Sequence, residues 1–155
     1  MSRRVSLAAV ATAADVNNTW VWKARDLGLI NPLALDGEDV IVVQVLAFVD
    51  QLAWPGQRRS RSVSRDMELW QTLAVTAARE AAGDPRTTSE TALWVMPDGV
   101  RLATTPGERS SCELDHLAGK VAFRLPIGQW VDDLPENFRV GIRPALKALS
   151  GGSVA

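Results

Sequence analysis

Apolar positions near the start of the chain recur at helical spacing and are bordered by capping residues. Ser6 is a suitable N-cap for a helix over about 7–14, and Asn17 is a suitable N-cap for a second helix that ends near Leu27. Gly28 follows at once and can take the left-handed conformation that closes a helix. The pattern therefore predicts two short helices joined by a tight turn, which is the arrangement of a helix-turn-helix.

A third helix is predicted to begin at the acidic phrase Asp36-Gly-Glu-Asp39. The β-branched residues that follow in 40–52 favour a strand by propensity, whereas the length of the segment and its capping signal favour a helix. We interpret it as a helix. Because it is apolar on nearly every face, it is expected to be buried at the centre of a small domain or to pack also on a partner.

The sequence Trp54-Pro-Gly56 is expected to end the third helix. The arginine–serine stretch at 57–64 that follows is interpreted as a loop or linker. A long amphipathic helix is predicted over about 65–82. Its apolar positions form one stripe. The residues of this stripe are Leu69, Trp70, Leu73, Ala74, Ala77 and Ala81.

The remainder of the chain changes to strand character. Residues 91–96 and 100–104 are predicted to be two strands of a β-hairpin around the turn Pro97-Asp-Gly99, and 120–125 is a third strand candidate. The segment 126–135 is predicted to be a loop, and 144–149 to form a short helix.

These elements define an α+β protein. We expect an N-terminal, winged-helix-like helical domain over 1–56, a basic linker with the amphipathic helix over 57–83, and a small α/β domain with a β-hairpin over 84–155. The role of this last domain is open.

The charge of the chain is nearly balanced, with a net charge of −1 and a pI of about 5.8 over 155 residues. The cations are nevertheless clustered, because Arg58, Arg59, Arg61 and Arg65 precede the next acid, Asp66. Local clustering of this kind matters more for phosphate contact than the total does.

Composition also indicates the compartment. A single cysteine permits no internal disulfide and fits a reducing cytoplasm, and the apolar run 40–49 is too short to cross a bilayer. We therefore expect a cytoplasmic protein without a membrane partner.

Enzymatic chemistry has one candidate phrase, in which Cys112 and His116 would share a helix face. Catalytic partners usually come from distant segments, and the phrase matches no family signature. One cysteine with one histidine also argues against a structural zinc site, and the pair Asp132-Asp133 is more typical of a solvated loop than of a cation site. The expectation is a protein that is not an enzyme and carries neither a cofactor nor a metal.

The N-terminal third resembles the winged helix-turn-helix of the MerR family of bacterial regulators. The resemblance rests on the phrase Leu27-Gly-Leu-Ile-Asn-Pro32 after the second helix and on the acidic opening Asp36-Gly-Glu-Asp39 of the next helix. It implies a dimeric, sequence-specific transcriptional regulator that binds double-stranded DNA, in which a long helix after the DNA-binding domain pairs across the two-fold axis.

Two features depart from that family. The stretch between Pro32 and Asp36 is too short for a full two-stranded wing, and Leu33-Ala-Leu35 lacks the arginine that the family's wing usually carries. Excisionases share this winged fold and often trim the wing, so an excisionase-like or phage-borne architectural protein is the alternative within DNA binding. A protein-interaction module that does not bind DNA is the rival from another class, favoured by the acidic pI.

The second helix carries the candidate base-reading residues. Val21, Ala24 and Gly28 are expected to face the first helix, while Asn18, Thr19, Trp22 and Lys23 point outward and Trp20 lies at the edge. We predict that Lys23→Ala weakens DNA binding. Both tryptophans have a plain alternative as core or interface residues. The complete set of predicted DNA contacts is Asn17, Asn18, Thr19, Trp20, Trp22 and Lys23, with Arg58, Arg59 and Arg61 on phosphates.

The last two predictions concern association. Leu69, Trp70, Leu73 and Ala77 are a candidate dimer surface, with packing on the hairpin as the alternative. Trp94, Phe123 and Trp130 either line an effector pocket or form the core of the small sheet, which we favour. RNA polymerase and a recombinase are further candidate partners. The arginine stretch also has a plain interpretation, as a solvated tether.

Overall fold

A computed structural model describes residues 5–52, 67–103, 107–108 and 121–139. The predicted linker at 57–64 and the predicted helix at 144–149 lie outside these ranges. The helices are α1 (Leu7–Ala14), α2 (Asn18–Asp26), α3 (Gly37–Asp50), α4 (Leu69–Gly83), α5 (Ile127–Asp132) and α6 (Glu136–Arg139); the strands are β1 (Ala92–Met96), β2 (Gly99–Ala103) and β3 (Phe123–Leu125).

The first two helices begin where the capping residues predicted. The Ser6 hydroxyl accepts a hydrogen bond from the Ala9 amide at 3.1 Å, and the Asn17 side chain accepts one from the Thr19 amide at 3.2 Å. Each contact satisfies an amide that the first turn of a helix leaves free. The turn between the helices passes through Asp15 in the left-handed region, at φ 55°.

The end of α2 depends on the backbone of Gly28. Its φ is 75°, and the following amide, of Leu29, donates to the Ala24 carbonyl at 2.9 Å. This is the hydrogen bond that closes a Schellman motif. The expectation that Gly28 packs against α1 is wrong, because the residue is exposed and a Cβ there would meet nothing within 4 Å. Glycine is favoured at this position by its φ alone.

The acidic phrase does open a helix. The Asp36 carboxylate accepts from the Asp39 amide, and the Asp39 carboxylate accepts from the Asp36 amide at 2.7 Å, which makes a capping box. The helix interpretation of 40–52 is confirmed, since α3 runs to Asp50. Apart from half-buried Gln44 and exposed Phe48, residues 39–49 are buried. Packing around most of the circumference of α3 therefore outweighs the intrinsic preference of its valines for a strand.

The loop at 31–36, between α2 and α3, contains no strand. Its turn is held by the Asn31 side chain, which accepts from the Leu33 amide at 3.0 Å, and Leu33 itself is exposed.

Helix α4 runs antiparallel to α3 and packs along it. It begins at Leu69 rather than near 65, since Met67 and Glu68 precede it and Glu68 is its N-cap. Near one end of the pair the Gln71 amide donates to the Val49 carbonyl at 3.3 Å. One continuous core extends from α1 through α3 and α4 to the sheet, so the predicted boundary near residue 56 does not separate two cores.

The three strands form an antiparallel sheet in the order β2-β1-β3. The hairpin prediction is confirmed, with Met96 paired to Gly99 across the turn. One face of the sheet packs on α4 and the core. The residues of this face are Leu93, Val95, Val100, Leu102, Phe123 and Leu125.

The loop prediction for 126–135 is wrong, because α5 and the turn after it occupy most of that segment. The segment begins with Pro126 and contains Gly128, and both are typical of loops. Within this helix, Gly128 lies directly against the 87–91 loop: its amide donates to the Thr91 carbonyl at 3.0 Å, and a Cβ would overlap the Thr88 carbonyl oxygen. Tertiary packing therefore overrides the local signal. No helix among the described residues is long and apolar enough to cross a membrane.

Candidate nucleic-acid interface

The exposed N-terminal turn of α2 presents three polar residues together. Asn17, Asn18 and Thr19 are all exposed, and outward placement was predicted for Asn18 and Thr19. The Asn17 side chain accepts from both the amide and the hydroxyl of Thr19, at 3.2 and 3.1 Å, so its orientation is fixed. Hydroxyl and amide groups held in this way can bond base edges or phosphates.

The two tryptophans of α2 have different environments. Trp22 is 51% exposed and shares the outer face with Asn18. Trp20 is half-buried and packs against the core. The prediction that Trp20 lies at the edge is thus in keeping with the structure, and Trp22 is the aromatic side chain available to a ligand.

Lys23 does not point freely outward, contrary to expectation. Its ammonium group lies 2.7 Å from the Asp50 carboxylate at the end of α3 and 5.7 Å from the ring centre of Trp20. The side chain is 28% exposed. Lys23 follows Trp20 by three residues and precedes Leu27 by four, and both of these flank the core. Those spacings were the signal that could have placed Lys23 beside the buried stripe.

Arg25 is the exposed cation of α2, and sequence reasoning missed it. It lies three residues after Trp22, on the same outer face, and its guanidinium donates from Nε and Nη2 to the adjacent Asp26 carboxylate, each at 3.3 Å. An exposed pair of this kind is weak, so the guanidinium remains available to another anion.

The described N-terminal part is acidic. Residues 5–52 contain six acids and two bases, so this unit by itself repels a polyanion. The acids are Asp15, Asp26, Asp36, Glu38, Asp39 and Asp50, and the bases are Lys23 and Arg25.

A cation from outside the N-terminal third reaches the segment that follows α2. The Nη2 atom of Arg79, on α4, donates to the Leu29 carbonyl and to the Asp39 carboxylate, each at 2.8 Å. Asp39 is only 3% exposed. No signal in the sequence links these three residues, because the contacts join α4 to positions 40 and 50 residues away.

Burial dominates the electrostatics of this junction. It raises the pKa of Asp39, while the hydrogen bond from Arg79 opposes the rise. Burial also raises the pKa of Glu38, and the neighbouring Asp36 carboxylate adds to it. The first turn of α3 therefore holds two carboxylates whose charged forms are disfavoured.

The four residues of the predicted dimer surface do not share one exposed face. Leu69 and Leu73 are 75% and 38% exposed, whereas Trp70 is buried and Ala77 is half-buried. The core-facing stripe of α4 is displaced from the predicted one because it includes Val75, Ala78 and Ala82. Packing of this stripe on both α3 and the hairpin accounts for the displacement.

The effector pocket, which was the alternative for the three aromatic residues, does not assemble, and the favoured arrangement as core holds for Phe123 and Trp130 but not for Trp94. Phe123 faces the core and makes an edge-to-face contact with Phe48, and Trp130 packs against the same core. Trp94 lies on the opposite face of the sheet, in register with Arg101 and Arg124. Because side chains alternate along a strand, Trp94 and Phe123 cannot line one cavity.

Several candidate residues fall outside the described ranges, namely Arg58, Arg59, Arg61, Cys112 and His116. Among the residues that are described, no group of three or more His, Cys, Asp or Glu side chains is arranged to hold a metal ion.

We compared the chain with known protein families, proteins and structures. No protein-family model, no curated protein and no solved structure matches the chain.

Proposed function

We propose that this chain is a sequence-specific DNA-binding transcriptional regulator whose helix α2 enters the major groove. The observation that carries the proposal is the outer face of α2, where Asn18, Thr19, Trp22 and Arg25 are exposed together on a helix whose first turn is capped by Asn17 and exposed to solvent. Hydroxyl and amide groups can bond base edges, guanidinium can bond guanine, and an indole can contact thymine methyl groups.

The helix begins at an exposed N-terminus, which adds a backbone contribution. The positive end of the helix dipole favours a phosphate, and in helix-turn-helix proteins it is the N-terminal part of the second helix that meets the bases. The MerR-like resemblance of residues 6–52 supports the same use of α2, with the loop 31–36 replacing the wing.

Phosphate contacts require positive charge that residues 5–52 do not supply. The arginine stretch with Arg58, Arg59 and Arg61 begins within ten residues of the end of α3 and is the candidate source. Lys23 is assigned a different role from the one expected, because Asp50 already neutralises it. Thr19, Trp22 and Arg25 are therefore the side chains that we assign to DNA.

The test is selection of genomic fragments by the purified full chain, followed by sequencing. A double variant, Thr19→Val with Trp22→Ala, removes the polar and aromatic contacts, and Thr76→Val with Val121→Ala is a matched control at exposed positions outside α2. We expect one motif to be enriched by the wild type and by the control, and to disappear in the α2 variant. No enrichment at low salt contradicts the proposal.

The motif also separates two kinds of DNA-binding protein. Inverted half-sites one helical turn apart indicate a symmetric dimer, with exposed Leu69 and Leu73 as its candidate contact. Several closely spaced, directly repeated sites that are bound cooperatively favour the excisionase-like alternative. The absence of a strand in the loop 31–36 is also consistent with the trimmed wing of that alternative.

A second candidate is a protein-interaction module that does not bind DNA. The acidic balance of residues 5–52 and the apolar exposure of Trp22 and Leu33, at 51% and 73%, favour it. Passage of the full chain through heparin at low salt, with no fragment enriched, supports this candidate over the first.

A further inference from the structure

Charged contacts hold α2 and the segment directly after it at two separated points. Lys23 pairs with Asp50 in the last turn of α3, while the Leu29 carbonyl just beyond α2 accepts from Arg79, which also binds Asp39 in the first turn of α3. Eleven residues separate the two aspartates, which is about 16 Å along a helix. Because the two attachments are so far apart, they fix the direction of the α2 axis relative to α3 as well as the contact between the two helices.

The Arg79 attachment is geometrically exacting. A single nitrogen, Nη2, donates to both acceptors, each at 2.8 Å. The Asp39 carboxylate is itself held, because its other oxygen accepts from the Asp36 amide at 2.7 Å within the capping box. The carboxylate is fixed, and the two N–H groups of Nη2 lie in the plane of the guanidinium. Once one of them points at Asp39, the direction of the other is set, and it determines where the Leu29 carbonyl lies.

We infer that Arg79 is a positioning residue for the DNA-reading surface of α2. The inference rests on the proposed function and deepens it: residue 79 comes from α4, beyond the arginine stretch, so α4 sets the direction in which Thr19, Trp22 and Arg25 are presented. The helix that the sequence predicted as a link and a dimer surface is thereby part of the recognition machinery.

A lysine cannot reproduce this contact. Its side chain is one bond shorter than that of arginine and ends in a compact ammonium on a flexible stem, so it does not hold a single nitrogen at both acceptors. Arg79→Lys keeps the charge opposite Asp39 and releases the Leu29 carbonyl, whereas Arg79→Gln removes the charge as well. Arg86→Gln is the matched control, because Arg86 is 80% exposed and pairs with Asp84 in the loop after α4.

The experiment has two readouts on the folded full chain. The first is the ¹H–¹⁵N spectrum without DNA, in which the amides of residues 18–22 report the placement of α2. The second is the ratio of affinities for the selected duplex and a scrambled duplex. Urea unfolding of each variant establishes that the protein is folded under the conditions of both measurements.

We expect both Arg79 variants to shift the α2 amides and Arg79→Gln to lower the discrimination ratio by about tenfold, as the loss of one good base contact by the displaced helix would do. Arg86→Gln leaves both readouts at their wild-type values. A purely structural role would lower the urea midpoint and change neither readout, and that result overturns the inference; if Arg79→Gln does not fold, Arg79→Lys decides.

The two proposals fail separately. If the wild type binds no duplex, the proposed function is wrong, and the spectra alone decide whether Arg79 positions α2. If the wild type discriminates between duplexes and both Arg79 variants discriminate equally well, the inference is wrong while the function stands.

Discussion

Lys23 shows how tertiary contacts reassign a residue that a helical wheel places on the surface. Its ammonium lies 2.7 Å from Asp50, so it joins α2 to α3. If Lys23 contacted DNA, its removal would lower the affinity for DNA directly. If Lys23 holds α2 against α3, its removal lowers the stability of the fold, and this second effect is the one that we now predict.

We predict that Lys23→Met and Asp50→Asn each lower the free energy of unfolding by about 1 kcal/mol, because the pair is only partly exposed. Their effects should overlap in the double variant, since both remove the same pair. The measurement is urea unfolding of the four proteins. Additive decreases would show that the pair contributes nothing as a pair.

The carboxylates at the start of α3 give a pH prediction. The pKa of Glu38 is raised above its ordinary value of 4.5 by burial first and by Asp36 second. A raised acid pKa means that the native state keeps the proton longer, so this contribution to stability is complete below pH 4.5 and is lost as pH rises through the folded pKa.

Glu38→Gln removes that titration. The variant should therefore gain stability relative to the wild type as the pH is raised from 4.5 through the folded pKa, measured by urea unfolding at a series of pH values. Glu80→Gln, which removes an exposed acid from α4, is the matched control. A constant difference between Glu38→Gln and the wild type across the series contradicts the account.

At the scale of the elements, local signals were sufficient where a helix end is capped by its own neighbours. Ser6, Asn17 and Asp36 each bind an amide two or three residues away, so the starts of α1, α2 and α3 could be predicted from the sequence. The hairpin was predictable for the same reason, since its turn lies between two adjacent strands.

Elements fixed by distant contacts could not be predicted in this way. Helix α5 forms where Gly128 lies against the 87–91 loop, about forty residues earlier in the chain. The buried stripe of α4 was misplaced because this helix packs on both α3 and the sheet. Of the candidate site, Thr19 and Trp22 were placed correctly, whereas the Lys23 and Arg79 contacts depend on the folded arrangement.

Gly128 supplies the prediction at this scale. Gly128→Ala should lower the free energy of unfolding by about 1–3 kcal/mol, because the new Cβ would overlap the Thr88 carbonyl oxygen and backbone must move. Thermal unfolding measures it, with the exposed neighbour Gln129→Ala as control. Equal unfolding temperatures for the wild type and Gly128→Ala would mean that α5 does not approach the loop so closely.

At the scale of the whole molecule, the charges are divided between segments. Residues 5–52 are acidic, and the cations that precede α4 are concentrated in the arginine stretch. A DNA-binding role therefore assigns base contacts to α2 and phosphate contacts to the arginines. The single core shared by α1, α3, α4 and the sheet then holds the reading helix in place.

This division can be measured by salt dependence. Replacing Arg58, Arg59 and Arg61 with alanine should reduce the slope of log affinity against log salt by about 0.9 for each arginine that neutralises a phosphate in the wild type. Arg86→Ala is the control for removal of an exposed cation elsewhere. An unchanged slope in the triple variant would make the arginine stretch a tether only.

The central claim is that the outer face of α2 contacts DNA, and the most direct measurement is a titration of the ¹⁵N-labelled full chain with the most enriched duplex from the fragment selection. The account predicts that the amides of residues 18–25 shift most, while those of β1 and β2 change little. If the largest shifts fall on the sheet, or if no amide of α2 moves at saturating duplex, α2 is not the reading helix and the proposed function is wrong.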